Sequence, residues 1–522
     1  MPPLWLSLLP VLFLMAGLVS VVSLTGSEAT SGPSQVVLIL SGMFAAVLYM
    51  GHGFALARKA RRNQSGTDSA GDSLKRQSGE DPNIQPVDHG NSRAFSFQGY
   101  WARLENSILS TITEVMPAIL ILLLIGALIG VWIVSGVVPA LIVWGTALLN
   151  PTIFYFTACI LAALVSLVTG SSWSTAGTVG VALVGIGQAL GSDPAITAGA
   201  VVSGAYFGDK MSPFSETTNL AASMAGVDLF EHIKHMLFTT APAMLISLIA
   251  FLGLGYSLES QSTGARLAET VQTIEKVFWI HPLLLLVPAL TFFLIYKKMP
   301  AIPAILVGTI AGGLVAALFQ SRALAYLASG DMVTTILAAA GNGPQYDTGS
   351  VAVDKLVNRG GMSSMLNTIW LILSAMFFAG VMEGSGMIHS IAASVLKRLR
   401  SRRSLVSSTI LGGLFANVVT SEQYLSIVVN GRFFRKAYAE RGISPLTLSR
   451  SLEDSGTLTS ALIPWNTCGA FMAATLQIST FAYAPFAFLN WITPLIALIY
   501  AWTGSFLGPP HEPRRSPVSH SN

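Results

Sequence analysis

The sequence predicts an all-α, multi-pass membrane protein built as two inverted structural repeats, each with a re-entrant hairpin and a broken transmembrane helix. Three observations lead there. The 522 residues are 52% hydrophobic and 10% charged, where soluble chains carry about a quarter charged residues. Apolar runs of about 20 residues, enough to cross a hydrocarbon core of ~30 Å, recur from end to end. The order of span, hairpin, broken span and span occurs twice, from about residue 111 to 257 and from 366 to 507, entered from opposite sides.

Residues 1–57 hold two spans, 3–24 and 36–57. The first has no basic n-region and no small-residue cleavage site, so it reads as a retained span. Residues 58–98, rich in Ser, Gly, Gln, Asp and Asn, read as a flexible linker. Lys and Arg cluster at Arg58 to Arg76, at Lys297 and Lys298, from Lys397 to Arg403, from Arg432 to Arg441, and at Arg514 and Arg515. The positive-inside rule makes these segments, and both termini, cytoplasmic.

The first repeat takes 99–257. Its hairpin, 151–190 around "TGSSWSTAGTVG", has no basic flank and so enters from outside, and the broken helix 194–228 follows it. Connecting helices and an external loop fill 258–363. The second repeat takes 364–507. Its hairpin, 404–431, is flanked by Arg402, Arg403, Arg432 and Arg435. A single span would expel one of those flanks, so the segment must enter and return from the cytoplasm, with its tip near Thr420 to Gln423. The broken helix 452–475 follows, and 508–522 is a cytoplasmic tail.

Broken backbone at membrane depth is tolerated only where protein buries it or water reaches it, so the polar breaks should converge near the midplane. A carboxylate inside a span costs about 2.5–3.5 kcal/mol and is usually kept for an ion or proton path. The first break offers Asp209, Ser212, Thr217, Thr218 and Asn219; the second offers Glu453, Asp454, Thr457, Asn466 and Thr467. The hairpin tips add Ser171, Ser172, Thr420, Ser421 and Glu422. Hard oxygen ligands suit a small alkali cation such as Na⁺ rather than zinc or copper. A buried carboxylate can also take a proton, and competition of two ions for one site is sufficient for exchange. The bland reading of Asp209 is a structural pair with its neighbour Lys210. Of eight histidines, His52 and His281 look embedded, while His232 and His235 fall at a cytoplasmic span end. Cys159 and Cys468 lie in apolar runs as small buried residues. No stretch has the context for nucleic-acid binding.

The blocks "GAYFGDKMSPFSETTNLA" (204–221) and "LSRSLEDSGTLTSALIPWNTCGAFM" (448–472) resemble the NhaC family of sodium/proton antiporters. So do "LLIGALIGVWIVSGVVP" (123–139), "TGSSWSTAGTVGVALVGIGQALG" (169–191) and "TSEQYLSIVVNGRFFRKAYAERG" (420–442). The resemblance implies a proton-driven Na⁺ exporter of the bacterial inner membrane, with Na⁺ and H⁺ as substrates; no cofactor and no enzymatic activity are expected. It places the family's polar residues on Asp209, Ser212, Thr217, Thr218 and Asn219, then on Glu453, Asp454 and Thr457. The family pattern carries Asp more often than Glu at position 422 and a shorter linker than 58–98. Its partners are the lipid bilayer and the two ions, with a homodimer left open. The alternative is exchange of organic acids of malate/lactate type, for which Lys210 is the one obvious buried cation. An intramembrane aspartyl protease is echoed only weakly by Gly208-Asp209 and Tyr346-Asp347, because Tyr346 falls in the external loop.

Overall fold

The computed structural model describes residues 2–25, 29, 31–78, 97–257, 264–297, 299–327, 331–399 and 401–507. Among them there is no strand. Seven helices are long and apolar enough to cross a membrane, and nine if two bent pairs each count as a span. Their outer faces are apolar and bare: Leu245, Ile246 and Ile249 on one helix, Ile310, Leu314 and Leu318 on another, are all exposed. The interior instead buries Asp209, Lys210, Arg450, Glu453 and Asp454. This inside-out polarity is what lipid as solvent dictates.

In chain order the helices are α1 (Leu4–Thr25), α2 (Pro33–Ser78), α3 (Phe97–Val134), α4 (Val137–Leu148), α5 (Phe154–Thr169) and α6 (Ser172–Thr175). A π-helical turn, Ala176–Gly180, leads into α7 (Val181–Ala189), then α8 (Pro194–Met211), α9 (Glu216–Ala225) and α10 (Leu229–Ser257). The connecting region holds α11 (Gly264–Val277), α12 (Leu286–Tyr296), α13 (Ala301–Phe319), α14 (Ser321–Tyr326), α15 (Met332–Asn342) and α16 (Val351–Val357). The second half has α17 (Leu366–Gly384), α18 (Met387–Arg398), α19 (Arg402–Thr420), α20 (Gln423–Glu440) and α21 (Pro445–Leu452). A second π turn, Glu453–Thr457, precedes α22 (Leu458–Ser460), α23 (Thr467–Leu476), α24 (Thr480–Tyr483) and α25 (Phe488–Thr503).

The two halves repeat cap for cap. α4 and α18 both start after a left-handed glycine, Gly136 and Gly386. In each case the preceding serine, Ser135 or Ser385, donates to a carbonyl three residues back at 3.1 Å. α5 and α19 end in a left-handed residue, Gly170 and Ser421, and an extended capping residue follows, Ser171 and Glu422. α8 and α21 each begin with proline behind a capping Asp193 or Ser444. α9 and α23 stop at left-handed Gly226 and Gln477.

The counterparts at either end run antiparallel. Gly380 and Gly384 of α17 lie on Ile108 and Ser107 of α3, while Met365, just before α17, reaches Gly126 further along α3. Tyr500 of α25 donates to the Phe238 carbonyl of α10 at 3.2 Å, and Phe488 lies 5.0 Å from Phe251. Antiparallel counterparts are what an inverted repeat requires.

Several boundaries differ from the sequence reading. α2 continues to Ser78, so 58–78 is helical where a linker was expected, because this stretch has no proline and enough Arg, Lys, Gln and Ala to propagate a helix; 79–96 and the tail 508–522 lie outside the described residues. The return arm of the second hairpin runs to Glu440, and the second broken helix starts at Pro445. The apolar run 277–296 is bent by 88° ahead of Pro282. The expected external loop carries α14 to α16 and packs against α3: Gly361 N donates to Gly126 O at 2.7 Å, and a Cβ on Gly130 would lie 2.2 Å from Ala339 O. Tyr346, in that segment, is 3% exposed against Phe278.

Gly130→Val should therefore lower the thermal midpoint in detergent by several degrees, equivalent to ~1–3 kcal/mol of overpacking against a carbonyl that cannot move aside. Gly51→Ala, where a Cβ meets nothing within 4 Å, should leave it unchanged or raise it. Size-exclusion monitored melting of both variants checks the contrast.

Candidate ion site at the helix breaks

Asp209 occupies the last turn of α8, 6% exposed. Ser172, at the tip of the first hairpin, donates to its Oδ2 twice, from the backbone N at 3.1 Å and from Oγ at 2.7 Å. The tip can come this close because Gly170 has no side chain: a Cβ there would sit 2.8 Å from the Phe214 backbone, and φ is +70°. Asp209 faces a cavity of about 570 Å³ that Glu114, Ser171, Thr217, Glu216, Glu422 and Tyr424 also line. Among the described residues four carboxylates face this space, and no Lys or Arg lines it.

The second break is differently charged. Asp454, in the second π turn, is wholly buried and paired with the Lys210 ammonium. Thr239 donates to the same oxygen at 3.1 Å, and Arg450 Nε lies 3.8 Å from the other. The bland alternative of a structural pair between Asp209 and Lys210 is not what forms: Lys210 pairs with Asp454 instead. Neighbours one apart on a helix point about 100° away from each other and cannot face. Glu453 is fully buried and neither of its oxygens has a hydrogen-bond partner.

The remaining polar residues divide between capping and the site. Ser171 accepts from Ser174 N, Asn466 from Cys468 N, and Glu422 from Tyr424 N and Leu425 N at 2.5 and 3.0 Å. These caps satisfy helix N-termini that would otherwise be bare at depth. Ser212 accepts from Phe214 N at 3.3 Å, and Thr218 donates to Lys210 O at 3.0 Å. Thr420 donates to Ala416 O at 2.9 Å, and Ser421 O accepts from Thr467 N at 2.9 Å. The hydroxyls of Ser421, Thr457 and Thr467 are buried without partners. Asn219 is the exception: it is exposed and donates to Ser215 O at 2.7 Å and to Pro213 O at 3.0 Å, so it holds its own loop and stays out of the cavity.

Several participants were not singled out in the sequence. Trp173 stacks on Phe471 at 4.0 Å, and Tyr424 Oη donates to Glu216 Oε2 at 2.7 Å. Both rings stand three residues beyond their left-handed turn, and each ties a hairpin tip to the other repeat's broken helix. Asn417 donates to Gly456 O at 2.6 Å. Arg450 stands four residues before Asp454 on the same helical face, a spacing that the sequence displays. The histidine reading also changes: His232 and His235 are the buried pair, while His281 is exposed and caps a turn and His52 is half-buried. His232 and His235 share the buried face of α10 with Met236, Thr239 and Thr240, at helical spacing.

Among the described residues no group of three or more His, Cys, Asp or Glu is arranged to hold a metal ion. A cation here would be held by mixed carboxylate, hydroxyl and carbonyl oxygens, the donor set of a hard, loosely held ion.

The sequence pattern of the Na⁺/H⁺ antiporter family matches residues 204–505. The Na⁺/H⁺ antiporter NhaC of Alkalihalophilus pseudofirmus is 40% identical over 408 residues, 78% of this chain and 86% of that protein. The NhaC of Bacillus subtilis is 38% identical over 400 residues, 76% of this chain and 86% of its own length. The malate-2H⁺/Na⁺-lactate antiporter of Bacillus subtilis is 35% identical over 405 residues, 77% and 85% of the two chains. The protein therefore belongs to the Na⁺/H⁺ antiporter family.

Proposed function

We propose that the protein sits in a bacterial plasma membrane with both termini in the cytoplasm and exchanges cytoplasmic Na⁺ for external H⁺, the two ions competing for Asp209. The observation that carries this is the cavity in which Asp209, held by Ser172, faces three further carboxylates, with no basic residue lining it among the described residues. A water-filled cleft of one sign raises the local concentration of its counter-ion. One Asp209 oxygen is committed to Ser172, and the other carboxylate oxygen with the Thr217 and Ser171 groups supplies the ion's ligands. Asp209 is neutral when it carries either a proton or Na⁺, and the bare carboxylate is costly to move through a low-dielectric interior. Exchange without leak follows.

The cavity reaches Tyr296, Met299 and Pro300, beside the basic residue Lys297. By the positive-inside rule this side is cytoplasmic, which makes the conformation inward-open. Antiparallel repeats supply the opposite conformation when each takes the other's arrangement. We assign Asp454 to a latch rather than to the ion, because Lys210 already neutralises it.

Organic-acid exchange, the activity in the name of one relative, finds less support. Lys210 is engaged by Asp454, and the four lining carboxylates would repel an anion.

In proteoliposomes with an imposed Na⁺ gradient and a lumenal pH dye, Asp209→Asn should lower proton flux at least 100-fold while keeping the size-exclusion profile of the parent. Normal flux in that variant would sink the assignment, and flux that appears only with malate or lactate would move the protein to the organic-acid branch. The apparent KM for Na⁺ should fall as pH rises, by up to about tenfold per pH unit while protons compete; a KM that ignores pH contradicts competition. Lys210→Met should destabilise by ~3–5 kcal/mol because it takes the close ammonium from a buried Asp454 and leaves it Thr239 and the more distant Arg450. Lys210→Met/Asp454→Asn should recover most of that loss, as measured by thermal melts in detergent; a double variant no better than the single would show that the pair is not the source.

A further inference from the structure

A second set of buried polar groups lies among α10, α21 and the residues after α25, and none of them lines the cavity of Asp209. His232 is fully buried with both ring nitrogens unbonded. His235 Nε2, Thr240 Oγ1, Arg450 Nε and Asp454 Oδ2 are likewise buried and unbonded. His232, His235 and Thr239 recur three and four residues apart on the buried face of α10; Thr239 donates to Asp454 Oδ1 at 3.1 Å, and Arg450 Nε is 3.8 Å from Asp454 Oδ2. Arg450 lies over the Tyr500 ring of α25, 6.0 Å from its centre, and Glu453 is the neighbour of Asp454 in the second π turn.

An imidazole carries one donor and one acceptor, or two donors, so His232 cannot be satisfied by choice of tautomer. More than nine in ten buried polar groups find partners. So many unmet groups in one place mark a site where internal water belongs, since a water needs two to four polar neighbours and finds them here. The segment just after α25 packs beside these groups. Phe506, at φ 53°, stacks on Phe238 at 4.7 Å and lies tilted against Tyr500 at 4.8 Å. Its carbonyl accepts from Arg450 at 2.8 Å, and Leu507 O accepts from Thr447 Oγ1.

We propose that these groups enclose an internal water cluster that conducts protons between the end of α10 near His232 and Asp454, a route separate from the cation cavity. A proton that enters at His232 passes through water and His235 to Asp454 Oδ2. The carboxylate becomes neutral and Lys210, keeping its own proton, is released. Glu453, with both oxygens unbonded, is the partner to which Lys210 then turns. Loss of the proton by the same path restores the latch. Proton arrival is thereby linked to the strength of the bond between the repeats, one residue from Asp209. The proposal rests on the antiport reading for its transport consequences only; the presence of water does not depend on it.

Radiolytic hydroxyl-radical footprinting of the full-length protein in detergent tests the cluster without any variant. His232 and Met236 are fully buried and should nevertheless be oxidised, as happens beside internal water; unlabelled side chains would overturn the proposal. In proteoliposomes, His232→Phe should lower exchange tenfold or more and narrow its pH range, with the KM for Na⁺ within twofold of the parent. His232→Gln, which can still bond to water, should keep at least half the rate. A His232→Phe variant with the parental rate and pH profile, or one that loses Na⁺ affinity in step with rate, would also overturn it.

Discussion

A single buried ion pair, Lys210 with Asp454, joins the two repeats where both of their helices are broken. Both side chains are fully removed from solvent, so a charge left on either one without a partner costs several kcal/mol. The pair sets the register of the two broken helices, and everything else at the site is arranged around it. Because Lys210 is turned towards Asp454, Asp209 is left without a cation. Ser172 holds it with two donated bonds, and it lines the cavity.

The second constraint is that each break exposes helix ends where no bulk water is at hand. The chain answers with one device used four times: a capping side chain directly at the break, Ser171, Ser215, Glu422 and Asn466. Polar residues at a break are therefore not equivalent. Those that cap are fixed by the backbone, while Asp209, Glu453 and the hydroxyls of Thr457 and Thr467 have capacity left for an ion, a proton or water. Trp173 on Phe471 and Tyr424 on Glu216 carry each hairpin tip to the opposite repeat, so that movement at one break is felt at the other.

Much of this was legible in the residues. Hydropathy and the placement of Lys and Arg were enough to read the membrane class and the doubled pattern, and Gly, Pro and hydroxyl clusters marked all four breaks. Which carboxylate holds which partner was not legible, because Lys210 can face Asp454 only through a contact 244 residues apart in sequence. Asn219 looked like a ligand from its neighbours, but its side chain bonds within its own loop. The burial of His232 and the inward packing of 332–361 on α3 depend on how helices pack, and local polarity carries no record of that. Hydrophobic runs report where lipid is, and the inner contacts are decided by small residues such as Gly126 and Gly130, which hydropathy ranks as neutral.

The central claim, that Na⁺ and a proton exclude each other at Asp209, is tested most directly by titrating the purified protein with Na⁺ in a calorimeter, in two buffers of different ionisation enthalpy. Competition predicts close to one proton released for each Na⁺ bound near the pH at which Asp209 is half protonated, with both heat and release lost in Asp209→Asn. Na⁺ binding without proton release, or undiminished in that variant, would contradict it.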